Sequence, residues 1–154
     1  MTRKYTFSMG GIHPEKFKIT TDCPIEDAGL PEMVHIPVKQ HIGSSAKILV
    51  NKGDKVKVGT LIADADGIVS SDVHSSVSGE VLKIEDVAGS TGYEEKMITI
   101  KVEGDEWEET IDRSDKIIKD INFTPDEIVS KIREAGIVGM GGAGYPTPIK
   151  TSLP

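Results

Sequence analysis

Residues 136–150 read GIVGMGGAGYPTPIK, and their types and spacing suit ligand chemistry better than any other stretch of this 154-residue chain. Gly139, Gly141, Gly142 and Gly144 remove the β-carbons that would keep a ligand away from the backbone, and leave N–H groups free to converge on an anion. Lys150 follows a turn set by Pro146 and Pro148 and adds a positive charge. The expected ligand is a phosphate or a phosphorylated cofactor. The stretch is not a Walker loop, which needs G-K-[ST] entering a helix, nor a dinucleotide fingerprint, because a helical pattern rather than a strand precedes it. On chemistry alone, a phosphate cradle and a structural turn stand level.

The remaining reactive side chains point to bland roles. Asp64 with Asp66, and Glu106 with Glu108 and Glu109, are neighbouring carboxylates in polar stretches, which read as solvated faces rather than acid–base pairs. His35, His41 and His74 lack a helical ligand spacing, so no metal site is assigned, and no catalytic residue either. The turn GGIHP reads as Ile12 docked on a core with His13 at the surface, a ligand role for His13 being the alternative. Cys23 is the sole cysteine. No internal disulfide, iron–sulfur cluster or Cys-ligated zinc site can therefore be assembled from this chain alone, and Cys23 reads as a buried or idle thiol.

Net charge is −7, and the 18 Lys and Arg are scattered rather than clustered. That distribution excludes a nucleic-acid footprint. The first residues lack an apolar signal region, and no run approaches the roughly 18 apolar residues of a membrane span. A cytoplasmic chain with no direct membrane insertion is the expectation.

Four kinds of segment must position the glycine loop. Residues 1–37 are punctuated by glycine and proline and read as a wrapping arm. Residues 38–103 hold the candidate strands AKILV, DKVKVGTLIA, GIVSSDVHSSVSGEVLKIE and KMITIKV, with turns at NKGD (51–54), ADG (65–67), SG (78–79) and AGSTG (88–92). This even spacing predicts a small β sandwich or barrel. Residues 104–122 form an acidic linker ending in a short helix over SDKIIKDI, with Trp107 stapling it to the β module. From 123, FTPDEIVSKIREAG predicts a helix with Thr124 as N-cap, Pro125 at the first position, Glu127 completing a capping box and Gly136 ending it. Ile128, Ile132 and Ala135 fall at i, i+4 and i+7, with Phe123 packing near Ile128.

Within the β segment, residues 50–85 resemble the barrel-sandwich hybrid of biotinyl and lipoyl carrier domains: a Gly-Asp hairpin, V-x-x-G-x-x-I, a tight turn, then Ser-Gly leading into V-x-x-I. Gly53 and Gly59 suit positions of positive φ or sharp turning. Carrier domains present a lysine at the hairpin tip for acylation. Here that stretch is DADGIVS, which has none, so a swinging-arm role is set aside.

IREAGIVGMGGAGYPTPIK resembles the flavin-binding loop of the flavoprotein subunit of NADH dehydrogenases, and more closely the C subunit of the Rnf electron-transport complex. GGIHP, QHIG and GMGGAGYPT carry this resemblance together, and it extends over essentially the whole chain. It implies a mainly β fold, a barrel-sandwich hybrid followed by a linker and the start, at 123–154, of an α/β domain binding FMN and NADH. It also implies electron transfer between NADH and ferredoxin in an ion-translocating complex, reaching ferredoxin indirectly. The implied location is cytoplasmic, associated peripherally with the membrane through partner subunits. The implied cofactor contacts are Gly139, Gly141, Gly142, Ala143, Gly144 and Tyr145, with Thr147 and Lys150 as phosphate-side candidates. The family continues beyond this loop to cluster-binding cysteines, so the expectation is an amino-terminal part inactive by itself, the iron–sulfur clusters lying past residue 154. The alternative is a docking module of a related reductase, such as a cobalamin reductase-like protein, without redox activity of its own.

Overall fold

A computed structural model of the chain describes residues 15–89 and 92–152. The GGIHP turn and His13 lie outside them.

Short runs, many with β-branched residues, form seven strands. These are β1 (Met33–Pro37), β2 (Lys47–Ile48), β3 (Lys55–Val56), β4 (Leu61–Asp64), β5 (Val73–His74), β6 (Ser78–Ala88) and β7 (Glu94–Gly104). They form two antiparallel sheets, one ordered β1-β7-β6-β3 and the other β2-β4-β5. Alternation along β1, β6 and β7 turns Ile36, Val81, Ile98 and Ile100 inward, where they meet Ile62 and Ala63 of β4 and Val73 of β5. Ile62, Val81, Ile98 and Ile100 are wholly buried. Each such side chain contributes roughly 1.5–3 kcal/mol by leaving water.

Two expectations within the β region change. Ser78 and Gly79, expected as a turn, open β6, with a bulge between them against β7. Gly79 is there for close packing, since an added Cβ would sit 1.9 Å from the Lys101 carbonyl oxygen. Residues 33–37, within the expected arm, are a sheet strand in register with β7, Ile36 opposite Ile98. Pro31 and Pro37 bracket that short alternation and mask it. Gly53 and Gly59 take φ of 93° and 91° as expected.

Residues 105–124 contain neither helix nor strand, so the short helix expected over SDKIIKDI is absent. The start of this stretch is tied to the module: Val58 donates its N–H to the Glu106 carbonyl (2.8 Å) and accepts from Glu108 N–H (3.0 Å), bridging to Trp107. Arg113 lies over the Trp107 ring at 4.6 Å. Helix α1 (Pro125–Glu134) follows, then the short α2 (Thr147–Thr151).

Both ends of α1 are made locally. Glu127 N–H donates to Thr124 Oγ1 (3.4 Å), while the Thr124 N–H donates to Glu127 Oε2 (2.7 Å). The bond holds the Glu127 carboxyl below its ordinary range. At the other end Gly136 adopts φ 64°, letting its N–H reach the Arg133 carbonyl and the Ile137 N–H reach that of Ile132. This is a Schellman stop. No side chain of α1 is buried; its Ile128 and Ile132 line a shallow groove of about 330 Å³ with Ile118, Ile121 and Phe123.

Candidate functional site

The glycine loop leaves α1 at Gly136 and folds back on itself. Val138 bridges to Pro146, Gly139 N–H donates to the Tyr145 carbonyl (2.8 Å), Gly144 N–H to that of Gly141 (3.0 Å), and Thr147 N–H to that of Ile137 (3.0 Å). Pro146 and Pro148 are buried and anchor the return. The loop then meets the β module over residues 40–42. Ile42 N–H donates to the Ala143 carbonyl at 3.0 Å, the single hydrogen bond between the helix–loop segment and the module among the described residues.

The glycines of this loop divide into two kinds. Gly136 and Gly144 are required by the fold. Both have positive φ, and an added Cβ would stand 2.6 Å from the Asp72 carbonyl oxygen or 2.8 Å from that of Gln40. Gly141 and Gly142 are not required by it: they are exposed, lie outside the left-handed region, and an added Cβ would meet nothing within 4 Å. Nor do the N–H groups of Gly141, Gly142 and Ala143 donate to any described residue.

The residues that carry these amides line an open cleft of about 1010 Å³ between the loop and the module. Gly139, Gly141, Gly142, Ala143 and Gly144 line it from one side; residues 38–42 and the β6–β7 hairpin, with Asp86, Tyr93, Glu94 and Lys96, line it from the other. Asp86 is paired with Lys96 at 3.1 Å. Tyr145, Thr147 and Lys150 do not line the cleft. Tyr145 is half-buried, with the Lys150 ammonium 5.5 Å from its ring centre. Lys150 joins none of the ion pairs among the described residues, and its Nζ lies 3.3 Å from where a Gly139 Cβ would be. Its charge is thus available beside the base of the loop.

Beneath the loop lies a smaller polar cavity of about 140 Å³, bounded by Gln40, His41, Ser71, Asp72, His74 and Gly136. Burial pushes the Asp72 carboxyl above its ordinary range, although the Ala65 N–H donated to it (2.9 Å) opposes that shift. His41 is buried, whereas His35 bonds Thr99 across β1 and β7 (3.0 Å). No three metal-ligating side chains cluster among the described residues. Cys23 is exposed rather than buried. The neighbouring carboxylates have ordinary partners: Glu106 pairs with Lys57 (2.6 Å), and Glu108 accepts from the Thr60 hydroxyl.

Two small antiparallel sheets closed on one core, with long β6 and β7 hairpinned together, are the architecture of a barrel-sandwich hybrid domain. The chain belongs to the RnfC family: the RnfC barrel sandwich hybrid domain matches residues 6–106. It is 44% identical over 147 residues to the C subunit of the proton-translocating ferredoxin:NAD(+) oxidoreductase complex of Clostridium ljungdahlii, covering 94% of this chain and 32% of that protein. The C subunit of the ion-translocating oxidoreductase complex of Rhodobacter capsulatus is 38% identical over 148 residues, 94% of this chain and 28% of that one. The C subunit of the Na(+)-translocating ferredoxin:NAD(+) oxidoreductase complex of Acetobacterium woodii is 37% identical over 156 residues, all of this chain and 34% of that one. The chain spans about a third of the length of these relatives. No helix among the described residues is long and apolar enough to cross a membrane.

Sequence reasoning found one wall of the cleft and missed the other. QHIG was legible only as part of a family pattern, and nothing in residues 93–96 advertises a ligand-facing role. Their place depends on pairing across the fold.

Proposed function

We propose that this chain is the amino-terminal part of an electron-transfer subunit, and that its glycine loop holds the phosphate side of FMN. In this reading residues 38–103 are the β module and 104–122 a linker. Residues 123–154 open the FMN- and NADH-binding domain. The observation that carries it is that no described residue stands where a Cβ on Gly141 or Gly142 would go, while their N–H groups and that of Ala143 have no acceptor among the described residues. A backbone without β-carbons and with unengaged donors is what close approach of a phosphate requires.

FMN supplies exchange between a two-electron donor such as NADH and one-electron carriers. The chain's own residues have simpler tasks. Gly141, Gly142 and Ala143 present amides, Gly139 lines the cleft with its own N–H turned to Tyr145, Gly144 and Tyr145 shape the return of the loop, and Thr147 and Lys150 offer a hydroxyl and a positive charge on the phosphate side. With Cys23 its only cysteine, the chain leaves iron–sulfur clusters to other polypeptide segments. Partners would be the other subunits of a membrane complex, with ferredoxin reached through them. The cobalamin reductase-like alternative keeps the loop and drops the membrane partners.

A fluorescence titration with FMN tests the reading, run on the 154-residue chain and on one extended to the length of its relatives. Quenching with micromolar or tighter affinity by the longer chain is expected, with much weaker binding by the shorter. A longer chain that leaves FMN fluorescence unchanged would overturn the assignment.

A further inference from the structure

We propose that His41 is a positioning residue for the glycine loop, so that the β module sets how tightly the loop holds its cofactor. The flavin part of this inference rests on the function proposed above; the loop part stands on geometry alone.

His41 is 6% exposed and uses both ring nitrogens. Nε2 accepts the Ser71 N–H at 3.1 Å, and Nδ1 lies 3.1 Å from the Ile42 carbonyl oxygen. An amide N–H only donates and a carbonyl only accepts, so the ring is the neutral tautomer with its proton on Nδ1. The imidazole therefore clamps residues 41–42 to the turn after β4, thirty residues away in sequence. The same Ile42 whose carbonyl is held on one side sends its N–H to Ala143 on the other. Gly144 packs against this clamp, its missing Cβ allowing approach to the Gln40 carbonyl and to His41 Cα.

The result is one relay of hydrogen bonds: Ser71 to His41, His41 to Ile42, Ile42 to Ala143. It is the only hydrogen-bonded connection between module and loop among the described residues. Gly136 also packs on Asp72 and His74. Ala143 carries one of the free amides of the cleft, so a shift of Ile42 moves a cofactor-facing group directly. Pre-organisation of this kind is read mainly in the rate of ligand release.

Three variants separate positioning from stability. His41→Gln keeps an acceptor within reach of Ser71, His41→Leu keeps bulk and loses both bonds, and Val81→Ala weakens the core without touching residues 40–42. Amide hydrogen exchange of the hydrogen-bonded N–H groups of Ile42, Gly139, Gly144 and Thr147 on the flavin-free chain is the first readout. His41→Leu is expected to speed it at least tenfold, His41→Gln to restore most of the protection, and Val81→Ala to leave it within about threefold of wild type under native conditions. The FMN release rate of the extended chain should follow the same order. Unchanged loop exchange in His41→Leu, or equal acceleration in Val81→Ala, would overturn the proposal. An extended wild-type chain that binds no FMN would sink the flavin reading, and the exchange comparison would still decide the role of His41.

Discussion

The β module and the segment that follows it hold their shapes by different means. Inside the module, side chains from both sheets share one buried cluster, with Ile62, Val81, Ile98 and Ile100 sealed from water. Helix α1 has no fully buried side chain; it is defined by a capping box at Thr124 and a Schellman stop at Gly136. A short helix with only local supports is marginal in water, so its order depends on what it touches. Here the touches are few, and two of them run through glycines. A robust scaffold therefore carries a lightly attached loop, an arrangement suited to a site that a larger protein completes.

That contrast is testable at both ends, and the largest effect belongs to the core. Ile98→Ala deletes a wholly buried side chain and should cost about 2–5 kcal/mol, lowering the midpoint of urea unfolding of the module steeply. Because α1 lacks buried contacts with that core, its helical NMR signals should shift little at temperatures where the variant stays folded. Concerted loss of α1 with the module would erase the distinction.

Lys150→Ala addresses the loop. Removing this positive charge, which joins no ion pair among the described residues, should weaken FMN binding by the extended chain about tenfold and riboflavin binding hardly at all, as compared by fluorescence titration, because only FMN carries the phosphate. Equal losses for both would show that Lys150 acts through its contact with Tyr145 instead.

A smaller effect is expected at the start of α1. The Thr124 N–H holds the Glu127 carboxylate's pKa below the ordinary 4.5, so its capping contribution is complete above that value. It declines as pH falls through the lowered folded value. Glu127 is fully exposed, so the change is fraying of one turn, seen as faster amide exchange at residues 127–129 relative to the intrinsic rate between about pH 5 and pH 3. Glu127→Gln should flatten that response. A pH dependence unaffected by the substitution would mean the box contributes nothing.

The legible parts of this molecule are those written locally. Apolar, β-branched runs between turn signals marked the strand-rich segment, and Thr124, Pro125, Glu127 and Gly136 announced α1 because caps depend on neighbours a few residues apart. Where glycine or proline had a tertiary purpose, reading it as punctuation failed. Gly79 sits in a strand because the Lys101 carbonyl needs the space, and β1 hides between two prolines. Nothing in residue type separates Gly144, demanded by the Gln40 carbonyl, from Gly142, which faces open space. Nor does local pattern bring residues 38–42 to residues 139–144, since about a hundred residues lie between them.

Gly142→Val puts the central claim to its most direct test, with thermal unfolding and flavin content measured on the same preparation of the extended chain. If glycine stands there for a ligand and not for the fold, the flavin-free midpoint should move by no more than about 2 °C while bound FMN falls below about a tenth of the wild-type content. Normal flavin content, or a large fall in the flavin-free midpoint, would contradict the account.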